Sequence, residues 1–194
     1  MKIFAGFCSA LALSATTALA GGHAGWVSVD DQSSVAFGSV KNSEFGEVHH
    51  FTDVSGKVSE AGDLEISINL ASVQTNIDIR NERMNEHVFA SGPVSAVISG
   101  QIDMQALSAL GTGDIMLADV EAELSFAGTE NDIEARMMVA RLAEDRVLVT
   151  TADFIMLSTD DLGITAGIDK LMELASLDSI TRVTPVSVRM VFEK

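Results

Sequence analysis

The sequence predicts an all-β fold, an antiparallel barrel of about eight strands with one or two short helices, and three observations carry that reading. Apolar and polar residues alternate strictly over several runs, clusters rich in Gly, Asn and Asp separate those runs, and no linker, repeat or low-complexity tract divides the chain. Period-two alternation marks a strand with one buried face. A meander of eight to ten such strands tends to close on itself, which removes its unpaired edges.

Residues 1–20 stand apart. A basic start at Lys2 leads into the apolar stretch Ile3–Leu13, and a small-residue patch ends in Ala18-Leu19-Ala20. This is the pattern of an exported chain's signal peptide, with cleavage expected after Ala20. The apolar stretch is short for a membrane span, and Ser14, Thr16 and Thr17 dilute its end. Residues 21–194 then form one domain, long enough to enclose a full core. Cys8 is the one cysteine and leaves with the signal, so the mature domain has neither disulfide nor thiolate chemistry.

Along the domain, Val35 and Phe37 open the alternation. Leu64, Ile66, Ile68 and Leu70 then interleave with Glu65, Ser67, Asn69 and Ala71. Ala118, Val120, Ala122, Leu124 and Phe126 do the same against Asp119, Glu121, Glu123 and Ser125. Val147 and Val149, followed by Phe154 and Met156, suggest a further strand region, and Val186, Val188, Met190 and Phe192 make the last. Turns are expected at Glu60–Asp63, Gly111–Asp114, Gly128–Asp132 and Ala143–Asp145, where Gly, Asn and Asp supply the positive φ of tight hairpins. Two segments carry helical spacing instead. Thr75–Phe89 places Ile77, Met84 and Val88 on one face, with Thr75 and Asp78 as a weak capping box. Ile168–Leu177 has Leu171, Leu174 and Ala175 as its apolar stripe.

The formal charge of −16 argues against nucleic acid and against anionic headgroups as partners. Nothing after residue 20 is long and apolar enough for a transmembrane helix, so no stable membrane insertion is expected. No nucleophile motif, phosphate loop or catalytic cysteine is present. His49 and His50 point to opposite faces of a strand, leaving Glu47 and His49 as a two-ligand set where zinc wants three or four, so no metal is expected and the histidines belong at the surface or rim. The eight methionines from Met84 to Met190 are gap-fillers or the lining of a cavity for a bendable apolar ligand. Arg80 and Arg83 fall in one turn, either as a solvated helix face paired with Asp78 and Glu82 or as holders of an entry loop or headgroup.

Ser33-Ser34-Val35-Ala36-Phe37, Lys41-Asn42, Glu47-Val48-His49-His50-Phe51 and Val54-Ser55-Gly56-Lys57-Val58 occur in that order. Leu70-Ala71-Ser72-Val73-Gln74-Thr75 and Ile77-Asp78-Ile79-Arg80-Asn81-Glu82-Arg83-Met84 follow, and Val183-Thr184-Pro185-Val186 closes the series. This ordered set resembles the YceI-like family, most strongly over residues 26–89. The resemblance implies a lipocalin-like antiparallel barrel with a helix folded against it, exported to the periplasm, holding a polyisoprenoid chain, an isoprenoid quinone or another amphiphilic lipid in an apolar tunnel. The best-known members read Arg-Asp-x-His-Leu where this chain has Arg80-Asn81-Glu82-Arg83-Met84, a departure that marks a divergent branch and bears on the ligand rather than the fold.

The expected function is therefore that of a carrier or sequestering protein for an isoprenoid or other long-chain lipid, not an enzyme. Phe37, Phe51, Ile66, Ile68, Met84 and Phe89 are the expected cavity or rim residues, and Arg80 the candidate for the polar end. No cofactor is expected beyond such a bound lipid. A homodimer and an inner-membrane redox or lipid-handling protein stand as candidate partners. Two other readings stay open: a barrel packed solid with side chains, and an enzyme acting on a bound lipid through His49 with Glu47.

Overall fold

The computed structural model describes residues 25–90 and 92–194; the expected signal segment, residues 1–20, lies outside them. The strands are β1 (Trp26–Ser28), β2 (Ser34–Lys41), β3 (Phe45–Phe51), β4 (Val54–Val58), β5 (Asp63–Asn69), β6 (Val73–Gln74), β7 (Ser95–Gln101), β8 (Ile115–Phe126), β9 (Thr129–Ala143), β10 (Arg146–Thr151), β11 (Ile155–Ser158) and β12 (Val183–Glu193). Helix α1 (Asp78–His87) precedes β7, α2 (Met104–Ala109) precedes β8, and α3 (Thr165–Leu174) precedes β12.

These segments assemble into eight staves. A 3-10 turn at Asp30–Gln32 breaks the first stave into β1 and β2, both of which pair antiparallel with β12. The second stave is β3 with β4, and they pair with β2 and β1 respectively. A 3-10 turn at Leu70–Ser72 separates β5 from β6 in the third. Single strands β7, β8 and β9 follow, then β10 with β11 as successive partners of β12. Every stave neighbours the next in the chain, and β12 returns to β1 and β2. The result is a closed antiparallel barrel in which every stave has a neighbour on both sides, although β6 and β11 each bond to a single strand.

The alternation in the sequence sets which side chains enter the barrel. Ile66, Ile68, Leu124, Phe126, Val188, Met190 and Phe192 are all buried. Gly62 sits at φ +95 in the β4–β5 turn, and a Cβ there would lie 2.3 Å from the Ile102 carbonyl oxygen, so only glycine fits. In α3, Gly167 lets the helix approach the end of α1: a Cβ would meet the His87 carbonyl oxygen at 2.4 Å.

Several local expectations are corrected. The predicted helix Thr75–Phe89 shortens to Asp78–His87, and its N-cap is Ile77, which makes no side-chain bond. Thr75 is not a cap; its hydroxyl donates to Asn81 Oδ1 at 2.6 Å and its backbone N–H to the same oxygen at 2.9 Å. Ile77, expected on the apolar face, is exposed. The second helix spans Thr165–Leu174. Gly111–Asp114 leads from α2, not from a strand, into β8. The Gly128–Asp132 turn contracts to Ala127 and Gly128, both at positive φ, and Thr129–Asp132 belong to β9. Phe154 and Met156 face solvent, while Ile155 and Leu157 pack against the core.

Candidate functional site

The barrel is hollow. A first chamber of about 420 Å³ lies toward α2, lined by residues including Trp26, Ile66, Met116, Met137, Val149 and Met190. A second of about 120 Å³ lies under α1 and α3, lined by residues including Phe37, Phe51, Ile68, Met84, Phe89 and Phe126. Ile98, Ile133, Ile155 and Val188 line both, so the chambers adjoin across these four side chains. The first chamber alone has the size of an ordinary small-molecule site, typically about 300–1,000 Å³.

Each end has its own lid. Val88 and Phe89 after α1, and Ile164 and Ile168 at α3, close the second chamber. Ile102, Ala106 and Leu107 at α2 close the first beside Trp26. Behind that floor sits buried Arg141, its guanidinium 5.5 Å from the centre of the Trp26 ring. It donates to the carbonyl oxygens of Leu107 and Glu144, both at 2.7 Å, which pins α2 to the barrel. Sideways, the first chamber adjoins a surface groove, sharing Gln101, Asp119, Val120, Ala135 and Ile155 with it. The wall is thinly bonded there: β7 pairs with β8 over Val97–Gly100 only, and β11 pairs with β12.

The second chamber carries an aromatic row. Phe37 and Phe51 stack with ring centroids 5.3 Å apart, Phe89 follows at 5.8 Å and Phe126 at 6.0 Å. Such offset or tilted spacings are the favourable ones for aromatic pairs. Ser39, Thr159, Thr181 and Thr184 also border this chamber, whose surface is nearly all apolar. Ser39 Oγ lies 3.1 Å from His49 Nε2, and the imidazole packs against Phe37 at 5.2 Å. His49 is thus buried, not at the surface or rim as expected, while His50 on the opposite face is exposed. Burial first, and Arg80 next, push the His49 pKa down to about 4, so the ring is neutral near pH 7.

Glu47 stands on the same strand face, bound by Lys41 Nζ at 3.1 Å and Arg80 at 2.7 Å. Burial raises its pKa, but the bonds from Lys41 and Arg80 outweigh this and the net shift is downward. Arg80 also donates to the Thr75 carbonyl oxygen at 2.7 Å. Its guanidinium ties α1 to β3 and lines neither chamber. Among the described residues there is no group of three or more His, Cys, Asp or Glu side chains placed to hold a metal.

Of the residues singled out from the sequence, Ile66 lines the first chamber, and Phe37, Phe51, Ile68, Met84 and Phe89 line the second. Met84, Met116, Met137 and Met190 line the channel, whereas Met156 is exposed. Sequence reasoning missed the boundary shared by the chambers, and α2. Alternation of Ala96, Ile98 and Gly100 marks Ile98 as inward, but two of the three residues are small. For α2 the signal was Asp103, whose carboxylate accepts from the backbone N–H groups of Gln105 and Ala106 as an N-cap.

A closed antiparallel meander, hollow and apolar inside, with a helical lid at each end, defines a lipocalin-like barrel. The YceI-like domain model matches residues 26–190, and the chain belongs to that family. A solved polyisoprenoid binding domain from Saccharophagus degradans, implicated in plant cell wall breakdown, is 32% identical, with a TM-score of 0.84 over 87% of this chain and 97% of that one. BcnA of Burkholderia cenocepacia shares the fold at 13% identity, with a TM-score of 0.65 over 84% of this chain and 98% of that one. No curated protein sequence matches.

Proposed function

We propose that this protein is a periplasmic carrier or sequestering protein for an amphiphilic lipid with a long apolar tail, isoprenoid in class, with a quinone or polyprenyl lipid as first choice. The two adjoining apolar chambers carry the proposal, read as one channel with its waist at the four side chains they share. A tail threaded through the waist leaves water along its whole length, which stabilises it by about 0.8 kcal/mol per buried CH₂. The related domain described as polyisoprenoid binding supports the ligand class. The hollow interior speaks against a barrel packed solid with side chains. It also speaks for binding over catalysis, since Glu47 is fully engaged by Lys41 and Arg80 and leaves His49 without a partner base.

Native mass spectrometry of protein purified from periplasm without detergent tests this directly. The expected result is a discrete added mass that solvent extraction releases as a lipid, on a chain beginning after Ala20. Bare protein that also ignores added isoprenoid lipid in a thermal-shift titration would refute the carrier reading.

A further inference from the structure

We infer that the channel selects lipids with an uncharged hydrogen-bonding head, such as a carbonyl, alcohol or amide, and discriminates against phosphorylated polyprenyl lipids and ionised fatty acids. The inference rests on the lipid-channel reading above and names the head that goes with the tail.

Its first ground is charge. Among the described residues no cationic side chain lines either chamber, and the ionisable lining groups are Asp103 and Asp119 in the first. The cations nearest the chambers are engaged. Arg80 and Lys41 are bound to Glu47 behind the second chamber, Arg141 donates to the carbonyl oxygens of Leu107 and Glu144 behind the floor of the first, and Arg136 is bound to Asp119 at 2.9 Å beside the lateral groove, which also holds Glu121, Glu134 and Asp153. A phosphate or carboxylate drawn inside would pass acidic side chains and lose its water without gaining a counter-charge, a severe cost in an apolar site.

The second ground is an unmet donor. Neutral His49 carries one ring N–H, and Ser39 one O–H. If Ser39 donates to Nε2, the proton sits on Nδ1, which is buried and has no partner. If Nε2–H donates to Ser39 Oγ, the serine O–H is the group left over, and Ser39 lines the second chamber. In either tautomer one donor of the pair lacks an acceptor, and an unmet buried donor is costly. His49 itself lines neither chamber, so it is in the second arrangement, with the serine O–H free, that a neutral oxygen on the ligand satisfies the donor without His49 taking a proton. The head therefore belongs at the Ser39 end of the second chamber, with the tail running past the waist into the first.

The test uses delipidated full-length mature protein and the fluorescence of Trp26, which lines the first chamber. Geranylgeraniol, geranylgeranyl monophosphate, palmitamide, palmitate and the headless hydrocarbon phytane are titrated in parallel. The alcohol and the amide are expected to bind at least about tenfold more tightly than the phosphate and the carboxylate. Ser39→Ala, a mild change if His49 variants fold poorly, should weaken the alcohol about fivefold and leave phytane unchanged. Equal or tighter binding of either anion overturns the head selection while leaving the lipid channel standing, as does a Ser39→Ala loss equal for alcohol and hydrocarbon. Failure of every probe, phytane included, removes the channel reading itself.

Discussion

Ile98 offers the sharpest test of the channel as a single conduit. It is buried on β7, opposite Ile66 of β5 and Leu124 of β8, and it lines both chambers. Ile98→Trp puts a bulky indole at the waist without touching Ser39, His49 or the lateral groove. Overpacking in a filled core costs about 1–3 kcal/mol, but here the extra volume projects toward void, so the loss of stability should fall at the low end. The effect on binding depends on tail length. If about four carbons reach past the waist, blocking it forfeits about 3 kcal/mol at 0.8 kcal/mol per CH₂, a loss of more than about a hundredfold. Isothermal titration with isoprenoid alcohols of ten, fifteen and twenty carbons measures this. The natural protein should gain affinity with each added unit, whereas the variant should reach a plateau. Affinity that climbs equally in both proteins would refute the idea that the chambers communicate through this waist.

Three further outcomes follow from other parts of the molecule. Because the His49 pKa is depressed to about 4, the unfolded chain binds more protons than the folded one between that value and the ordinary 6.5. Stability should therefore decline by up to about 3 kcal/mol as pH falls through that window, and His49→Gln should flatten the slope in chemical denaturation. Glu47 adds a loss in the same direction at lower pH, since its folded pKa also lies below the ordinary value. Gly167→Ala forces a methyl against the His87 carbonyl oxygen and the Val88 Cα, and thermal melting should register a loss of about 1–3 kcal/mol. Arg141→Met leaves the carbonyl oxygens of Leu107 and Glu144 without their donor and strips the cation from Trp26. It should cost about 2–3 kcal/mol in denaturant unfolding and shift the emission of that tryptophan.

Strand phase was readable wherever one face was polar throughout. On β5, Glu65, Ser67 and Asn69 oppose Ile66 and Ile68, and on β8 acidic residues oppose Ala118, Val120 and Ala122, so inside and outside followed directly. The reading faltered where both faces carry apolar residues. Met137-Met138-Val139-Ala140 on β9 gives no alternation, and Phe154-Ile155-Met156-Leu157 invites the wrong phase because its larger aromatic points outward. The polar end was hardest. Arg80 attracts attention as a cation, yet Glu47, thirty-three positions earlier, absorbs its charge. His49 shares its strand face with Phe51 two positions on, a local sign of burial that the charged Glu47 on the same face masked. The Arg80–Glu47 pair depends on contact between separate elements, which one-dimensional patterns do not contain.

The seam between the first stave and β12 has a consequence for folding order. β12 bonds to β10 and β11 on one side and to β1 and β2 on the other. A chain delivered N-terminus first holds Trp26 and Val35 long before Val188 and Phe192 exist to meet them. Until then the nascent sheet has two open edges, and its most sequence-distant contacts are the ones that shut it, an arrangement expected to fold slowly. That interval is also when the cavity is most accessible. On the carrier reading proposed above, a hydrophobic occupant present at the time is enclosed as the wall zips shut and need never pass the lateral groove.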